Sequence, residues 1–207
     1  MLNQLQVGPQ VSGPGAFPTA RGSNDACAVV QQGHGSFVEA VYRGGVYAVS
    51  DQTSVAMPAG LSTAPINVVL FNPLGNNKLA AIWWGGLVNV VAPAAIAVVW
   101  VAVNTNLNAA AVTGTAGVPR NCLLGNAAAP SVLTFTTATL PAAPVAVHVL
   151  GALLTGAITT HTQQIALGFW FNGALILQPG AAVSFQASAA SAAASVQGSW
   201  IWEEIPI

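Results

Sequence analysis

Residues 79–103 read LAAIWWGGLVNVVAPAAIAVVWVAV, a stretch without a charged residue that is long enough for one membrane-spanning helix. However, Gly85, Gly86, Asn89 and Pro93 lie near its centre, and Val, Ile and Trp together outnumber Leu. Branched and aromatic residues favour β-strands, whereas central glycine and proline favour a break between two elements. The stretch therefore predicts two strands joined by a turn instead of a transmembrane helix.

Charge is scarce along the whole chain. The 207 residues include 4 Lys and Arg, 5 Asp and Glu, and 54% hydrophobic residues, whereas about a quarter of the residues of a typical soluble domain are charged. Between residues 79 and 202 the only formal charge is Arg120. This composition lacks the basic patch that binds nucleic-acid phosphates, and it is the reverse of the composition that produces disorder.

The rest of the chain repeats the pattern of short, strand-forming runs. Clusters of Gly, Pro and Asn separate these runs, as at residues 72–77 and 178–180. The runs are 66–71, 79–91, 94–103, 132–140, 145–150, 165–171, 174–177, 182–188 and 199–205. Many short strands with turns at nearly regular intervals are typical of an antiparallel β-sandwich or a barrel.

The amino-terminal region differs from this pattern. Residues 1–35 are rich in Gly, Pro, Gln and Ser and have no sustained periodicity, which predicts an extended arm preceding a body at 36–207. The body begins with two strand-forming runs, 37–43 and 46–50, separated by Gly44 and Gly45. Two glycines between such runs predict a tight β-hairpin.

Hydrophobic patterning predicts which strand faces are covered. In the run 182–188, Val183 and Phe185 share one face while Ser184 and Gln186 share the other, which predicts one apolar and one solvent-facing side. The run 94–103 is apolar on both faces, so we expect it to be covered on both sides. Residues 187–194 favour a strand followed by a loop, with a short surface helix as the alternative, and residues 155–164 allow a short helix.

No catalytic motif is present in the sequence. It has no GxSxG nucleophile elbow, no phosphate-binding P-loop and no HExxH zinc helix. His34, His148 and His161 have unrelated spacings, and His148 lies in a strand-forming run where a structural role is expected. Two distant cysteines match no zinc spacing and are expected to be buried free thiols. We therefore predict no catalytic residue, no metal site, no cofactor and no enzymatic activity.

Two glutamates and the tryptophans are the remaining candidates for function. In a strand, Glu203 and Glu204 point to opposite faces, so they cannot flank one substrate. One of them is expected to pair with Arg43, Lys78 or Arg120, and the other to be solvated. Tryptophans that alternate with Val and Ile predict core or subunit contacts more than a sugar platform. The predicted interface residues are Trp83, Trp84, Trp100, Trp200, Trp202, Arg120, Glu203 and Glu204.

Two motifs resemble a known group of proteins. Residues 72–79, NPLGNNKL, resemble an N-P-x-G-x-x-K turn that enters a strand. Residues 177–183, LQPGAAV, followed by 202–206, WEEIP, resemble a proline-glycine turn and a closing W-E-E-[VI]-P strand. Together they resemble small structural proteins of tailed bacteriophages, including capsid cement (decoration) proteins.

That resemblance implies a jelly-roll sandwich that forms homotrimers and binds the outer surface of the major capsid protein lattice. It also implies location in the virion after synthesis in the host cytoplasm, with no cofactor, nucleic acid or membrane as partner. The absence of a basic or apolar run in residues 1–10 predicts that they form no secretory signal.

The main alternative is the receptor-binding head domain of a phage tail fibre or spike, which would hold a host glycan near exposed tryptophans. An enzyme would require His148 and His161 to converge with a glutamate.

Overall fold

The computed structural model describes residues 21–22, 28–29, 38–90, 95–105, 107, 112–153, 166–191 and 196–207. The chain divides into two compact units, Met1–Glu39 and Ala40–Ile207. In the first unit, β1 (Arg21–Gly22) and β2 (Ala28–Val29) form an antiparallel pair. The rest of the predicted arm, 1–35, lies outside the described residues.

The second unit is a sandwich of two antiparallel sheets, which confirms the predicted all-β class. A short helix, α1 (Val38–Tyr42), spans the boundary between the units. The described strands that follow are β3 (Val46–Ser50), β4 (Ile66–Asn72), β5 (Lys78–Asn89), β6 (Ala97–Asn104), β7 (Thr113–Ala116), β8 (Arg120–Asn121), β9 (Leu133–Thr139), β10 (Val145–Leu153), β11 (Ala166–Leu177), β12 (Ala181–Ala187) and β13 (Val196–Pro206). The five-stranded sheet has the order β11-β5-β13-β3-β8, and the six-stranded sheet has the order β10-β6-β12-β4-β9-β7. A jelly-roll connection of these strands stays a prediction.

The stretch 79–103 forms two strands, as its composition predicts. β5 belongs to the five-stranded sheet and β6 to the six-stranded sheet, so the chain crosses from one layer to the other between them. In the part of the chain that the structure describes, no helix has the length and apolarity needed to span a membrane.

The core between the sheets depends on a close approach of Trp200 to Gly85. The Trp200 ring stacks on Phe185 of the opposite sheet with a centroid distance of 4.1 Å, and its Nε1 donates a hydrogen bond to the Val68 carbonyl at 2.9 Å. A Cβ atom at Gly85 would lie 2.2 Å from the Trp200 ring. Glycine at this position is therefore what allows the large indole to pack between the layers.

The predicted hairpin at residues 37–50 is wrong. Gly44 has a φ of +72°, and the Gly44 and Gly45 amides donate hydrogen bonds to the carbonyls of Val41 and Ala40, respectively. This pair of bonds is the Schellman motif, which ends a helix with glycine in the left-handed conformation. The two glycines cap α1, and β3 pairs with β13 and β8 instead of with the preceding residues.

The prediction that one side of β12 faces solvent is also wrong, because every residue of this strand is buried. Gln186 exchanges two hydrogen bonds with the backbone of Ser62, each of 3.1 Å, so the segment around Ser62 covers this face. A second apolar cluster covers the neighbouring part of the same sheet; it contains Val69, Phe71, Leu107, Val112, Leu140 and Ala182.

The predictions for the coverage of β6 and for the ends of β11 and β12 are correct only in part. On the face of β6 that points away from the core, Ala102 is buried but Val98 and Trp100 are only half-buried. β12 ends at Ala187, and residues 188–191 form neither strand nor helix. The possible helix at 155–164 lies outside the described residues. The runs 165–171 and 174–177 form the single strand β11, which has an irregularity between Trp170 and Leu175.

Candidate functional site

The Glu204 carboxylate, one of the predicted site groups, is held by an ion pair and by several hydrogen bonds. Its side chain is 1% exposed, and its Oε2 lies 2.7 Å from Lys78 Nζ. The same carboxylate accepts hydrogen bonds from the Ser131 amide at 2.7 Å, the Ser131 hydroxyl at 2.8 Å and the Val132 amide at 2.8 Å. The prediction that one glutamate pairs with a scarce cation is confirmed, and Lys78 is that cation.

The Glu204 network continues into the turn that precedes β5. Asn76 Nδ2 donates to Ser131 Oγ at 3.2 Å and to Asn72 Oδ1 at 2.7 Å. Asn72 Nδ2 in turn donates to the carbonyls of Lys78 and Leu177, at 2.9 and 3.0 Å. The network therefore joins residues 72–79 to the closing strand, so the two motifs that carry the phage resemblance lie in one place.

The environment of Glu204 favours its charged form. Burial by itself raises the pKa of this carboxyl. Hydrogen bonds from Lys78, Val132 and Ser131, together with the Lys78 charge, outweigh burial, and the net pKa is lowered. These bonds hold the carboxylate as a fixed structural anion, and they leave it poorly suited to proton transfer.

Glu203 lies on the other face of β13 and has a different environment. Burial raises its pKa, while a hydrogen bond from the Trp83 side chain and the charge of Arg43 oppose that effect. The expectation of a solvated second glutamate is therefore corrected, because Glu203 is half-buried and bonded to Trp83. Trp83 and Glu203, both predicted interface residues, are in contact with each other.

Trp200 and Trp202 lie in the core, with 0% exposure each. Trp202 stacks on Tyr47 at a centroid distance of 5.9 Å, and Trp200 stacks on Phe185. Side chains without exposed surface cannot contact a partner directly. The prediction that Trp200 and Trp202 are interface residues is therefore corrected, because both belong to the hydrophobic core.

Trp84 lies on the outer face of the five-stranded sheet. Its ring crosses above Gly86 and Gly168, where added Cβ atoms would approach it to 2.6 and 2.8 Å. Trp170 lies beside it at a centroid distance of 6.5 Å and is 53% exposed. The two glycines of the WWGG sequence, residues 83–86, therefore serve opposite faces of the sheet. Gly85 leaves room for Trp200 of β13 in the core, and Gly86 leaves room for Trp84 on the outer face.

An open groove of about 710 Å³ begins beside Trp84. It runs along β13 and β3 to the segment that joins β7 to β8, and its charged lining residues are Asp51 and Arg120. β3 pairs with β8 only at Tyr47 and Ala48, so Ser50 lies beyond that pairing and lines the groove. The structure therefore brings Trp84 and Arg120, two predicted site residues, to one concave surface.

Trp100 lies on the outer face of the six-stranded sheet. It is half-buried and pairs with Val149 of β10 and Gln186 of β12. It thus belongs to a different surface from Trp84 and Arg120.

A further surface, absent from the predicted site residues, is an exposed apolar edge. β10 and β11 are edge strands of the two sheets of the sandwich and lie on the same side of it, and neither strand contains a charged residue. Where the two strands meet, the His148 ring of β10 packs against two rings of β11, with centroid distances of 4.2 Å to Phe169 and 5.4 Å to Phe171. We call the exposed side chains of these strands the apolar edge: Val145, Val147, Val149, Phe169, Trp170 and Ile176.

Reactive groups are sparse in the described residues. There, no three His, Cys, Asp or Glu side chains are grouped closely enough to hold a metal ion. Cys122 has a free thiol, and burial raises the pKa of that thiol. His148 lies in β10 within the aromatic cluster, whereas His34, His161 and Cys27 lie outside the described residues.

Comparison with known proteins finds no matching family model, no matching curated protein and no matching solved structure.

Proposed function

We propose that the chain is a non-enzymatic structural protein of a tailed-phage virion, a capsid cement protein. In this proposal it forms homotrimers that bind the outer surface of the major capsid protein lattice and stabilise the head. It is synthesised in the host cytoplasm and remains on the capsid surface.

The observation that carries this proposal is the apolar edge. Long, uncharged and apolar edge strands are templates for association, and monomeric proteins usually protect them with charges or proline. Here two such strands lie side by side, and several of their large side chains are exposed, such as Val149 at 58%. This edge is better suited to contact with other protein than with solvent.

The energy available from such contacts is large. If each subunit buried about 1,000 Å² of mostly apolar surface, the gross gain would be about 25 kcal/mol at about 25 cal/mol per Å², before the costs of association. A chain with nine charges is poorly protected against association, so a function that consists of assembly fits its composition.

The Glu204 network joins the segments that carry the resemblance. The resemblance depends on two motifs that are separated by 126 positions at Lys78 and Glu204. Their contact through an ion pair places both motifs in one structural unit of this chain.

Electron microscopy of the native particle tests the proposed function. The proposal expects density of this sandwich on the outer surface of the head, whereas density on the tail would contradict it.

Deletion of residues 1–35 then tests the amino-terminal region as the segment that reaches a neighbouring subunit or the capsid. Unchanged head binding by the truncated chain would exclude that role.

A second candidate is the receptor-binding head of a tail fibre or spike. The groove beside Trp84 favours it, because a concave surface with an aromatic wall and polar residues is suited to a small ligand. Tail density in the same micrographs, together with loss of host adsorption on substitution of Trp84, would favour this candidate over the cement protein.

A further inference from the structure

We infer that the groove bordered by Trp84, Asp51 and Arg120 is a binding site for a neutral carbohydrate. This inference deepens the second candidate of the proposed function, whose ligand would lie in this groove, and it does not depend on the cement function, because none of the residues that line the groove belongs to the apolar edge. Its volume of about 710 Å³ lies within the range of small-molecule sites in proteins.

The aromatic wall is held in place by the sheet below it. The Trp84 ring crosses above Gly86 and Gly168, and the absence of side chains at both positions lets the indole lie close to the backbone. Ile201, the cross-strand neighbour of Trp84, also lines the groove. The indole is thereby fixed at the border of the groove, where its π-density can contact the weakly positive C–H groups of a sugar ring.

The polar lining supplies both acceptors and donors. Asp51 Oδ1 accepts a hydrogen bond from the Thr53 amide at 2.9 Å, which fixes the carboxylate at the groove. In the part of the chain that the structure describes, the Arg120 guanidinium has no hydrogen-bond or ion-pair partner. Ser50, Thr136 and Ser199 add hydroxyl groups to the same lining.

This combination selects the class of ligand. One carboxylate and one guanidinium give the lining side chains no net charge, which favours a neutral ligand over a polyanion such as a nucleic acid. A neutral sugar has hydroxyl groups that both donate and accept hydrogen bonds, and one apolar ring face. The donors and acceptors match the Arg120 guanidinium, the Asp51 carboxylate and the hydroxyl groups, and the apolar ring face matches the indole.

A glycan array probed with the full-length chain tests the inference. The array carries neutral oligosaccharides of glucose, galactose, mannose and N-acetylglucosamine, sialylated and sulfated oligosaccharides, and a single-stranded DNA oligonucleotide. We expect binding to neutral members, followed by calorimetric titration of the tightest binder. Trp84→Ala should weaken that affinity by at least about tenfold, and Asp51→Asn and Arg120→Gln by about fivefold or more.

The matched control is Trp100→Ala, which removes a half-buried tryptophan on the outer face of the six-stranded sheet that does not line the groove. It should keep the wild-type affinity within about twofold. If Trp84→Ala fails to fold, the two surface variants at Asp51 and Arg120 decide the result. Three outcomes would overturn the inference: no neutral saccharide binds, only acidic saccharides or the oligonucleotide bind, or the folded groove variants bind as tightly as wild type.

Discussion

At the scale of single residues, Glu204 and Glu203 show how neighbouring identical side chains acquire opposite properties. Alternation along β13 places Glu204 against four hydrogen-bond donors and Glu203 beside Trp83 on the other face. The sequence predicts the opposite faces and an ion pair with one of three cations. It cannot select Lys78, because that choice depends on the register between β13 and β5, where Pro206 pairs with Lys78.

We predict that Glu204→Gln lowers the free energy of unfolding by about 2–3 kcal/mol at pH 7. The substitution removes the charge that Lys78 faces and replaces one acceptor oxygen with a donor group in a nearly fully buried site. Urea unfolding measures the change. Glu203→Gln is the matched control and should change stability by less than about 1 kcal/mol, since that side chain is only half-buried. Equal losses for the two variants would contradict the proposed role of the Glu204 network.

The stabilisation by Glu204 should also depend on pH. Its folded-state pKa is lowered from an ordinary value of 4.5, so its contribution is complete above that value and is lost as the pH falls through the folded-state pKa. The difference in stability between wild type and Glu204→Gln should therefore be constant near pH 7 and become smaller below about pH 4.5.

The contribution of Glu203 to stability should change with pH in the opposite direction. Its pKa is raised, so its contribution is greatest at acid pH and decreases as the pH rises through the folded-state value. Urea midpoints for the wild type and both variants between pH 7 and the acid limit of folding measure these effects. A wild-type advantage over Glu204→Gln that does not change with pH would exclude the lowered pKa.

At the scale of elements, the strands follow from local composition, but their ends and covered faces do not. Branched and aromatic runs identify β4, β5, β9, β10 and β13 to within a few residues. Gly44 and Gly45 fit a hairpin turn and a helix cap equally well, and only tertiary pairing of β3 with β13 decides between them. Gln186 is polar yet buried because a distant segment near Ser62 satisfies its amide, which no local pattern reveals.

We predict that Gly85→Ala destabilises the sandwich by about 3 kcal/mol or more. The new Cβ would overlap the Trp200 ring, which is held by Phe185 and by its hydrogen bond to Val68 and cannot easily move. Thermal or urea unfolding checks the change. Gly45→Ala is the control, because its Cβ would lie 3.5 Å from the nearest atom and should cost less than about 1 kcal/mol. A Gly85→Ala variant as stable as the control would show that Trp200 does not need this close approach.

At the scale of the whole molecule, the surfaces are the least predictable feature. The spacing of Trp200 and Trp202 places both on one face of β13, but that face could be core or interface because apolar residues lie on both sides of the neighbouring strands. The apolar edge depends on which strands end each sheet, and strand order is a property of the fold and not of any segment. The scarcity of charge did predict that some of the surface would be apolar.

We predict that Val149→Lys weakens self-association by at least about tenfold. The substitution places a charge in the apolar edge, where association would have to desolvate it. The matched control is Val118→Lys, which changes the same residue type at a similar exposure, 66% against 58%, on the groove side. Analytical ultracentrifugation over a concentration series compares the two variants. Equal association by both would place the subunit contact elsewhere.

The most direct test of assembly as the function is the mass of the full chain in solution, measured by light scattering during size-exclusion chromatography. The proposal predicts a particle with about three times the 20.8 kDa mass of one chain, which Val149→Lys shifts toward the single-chain mass. A wild-type protein that stays at 20.8 kDa throughout the micromolar range would contradict it.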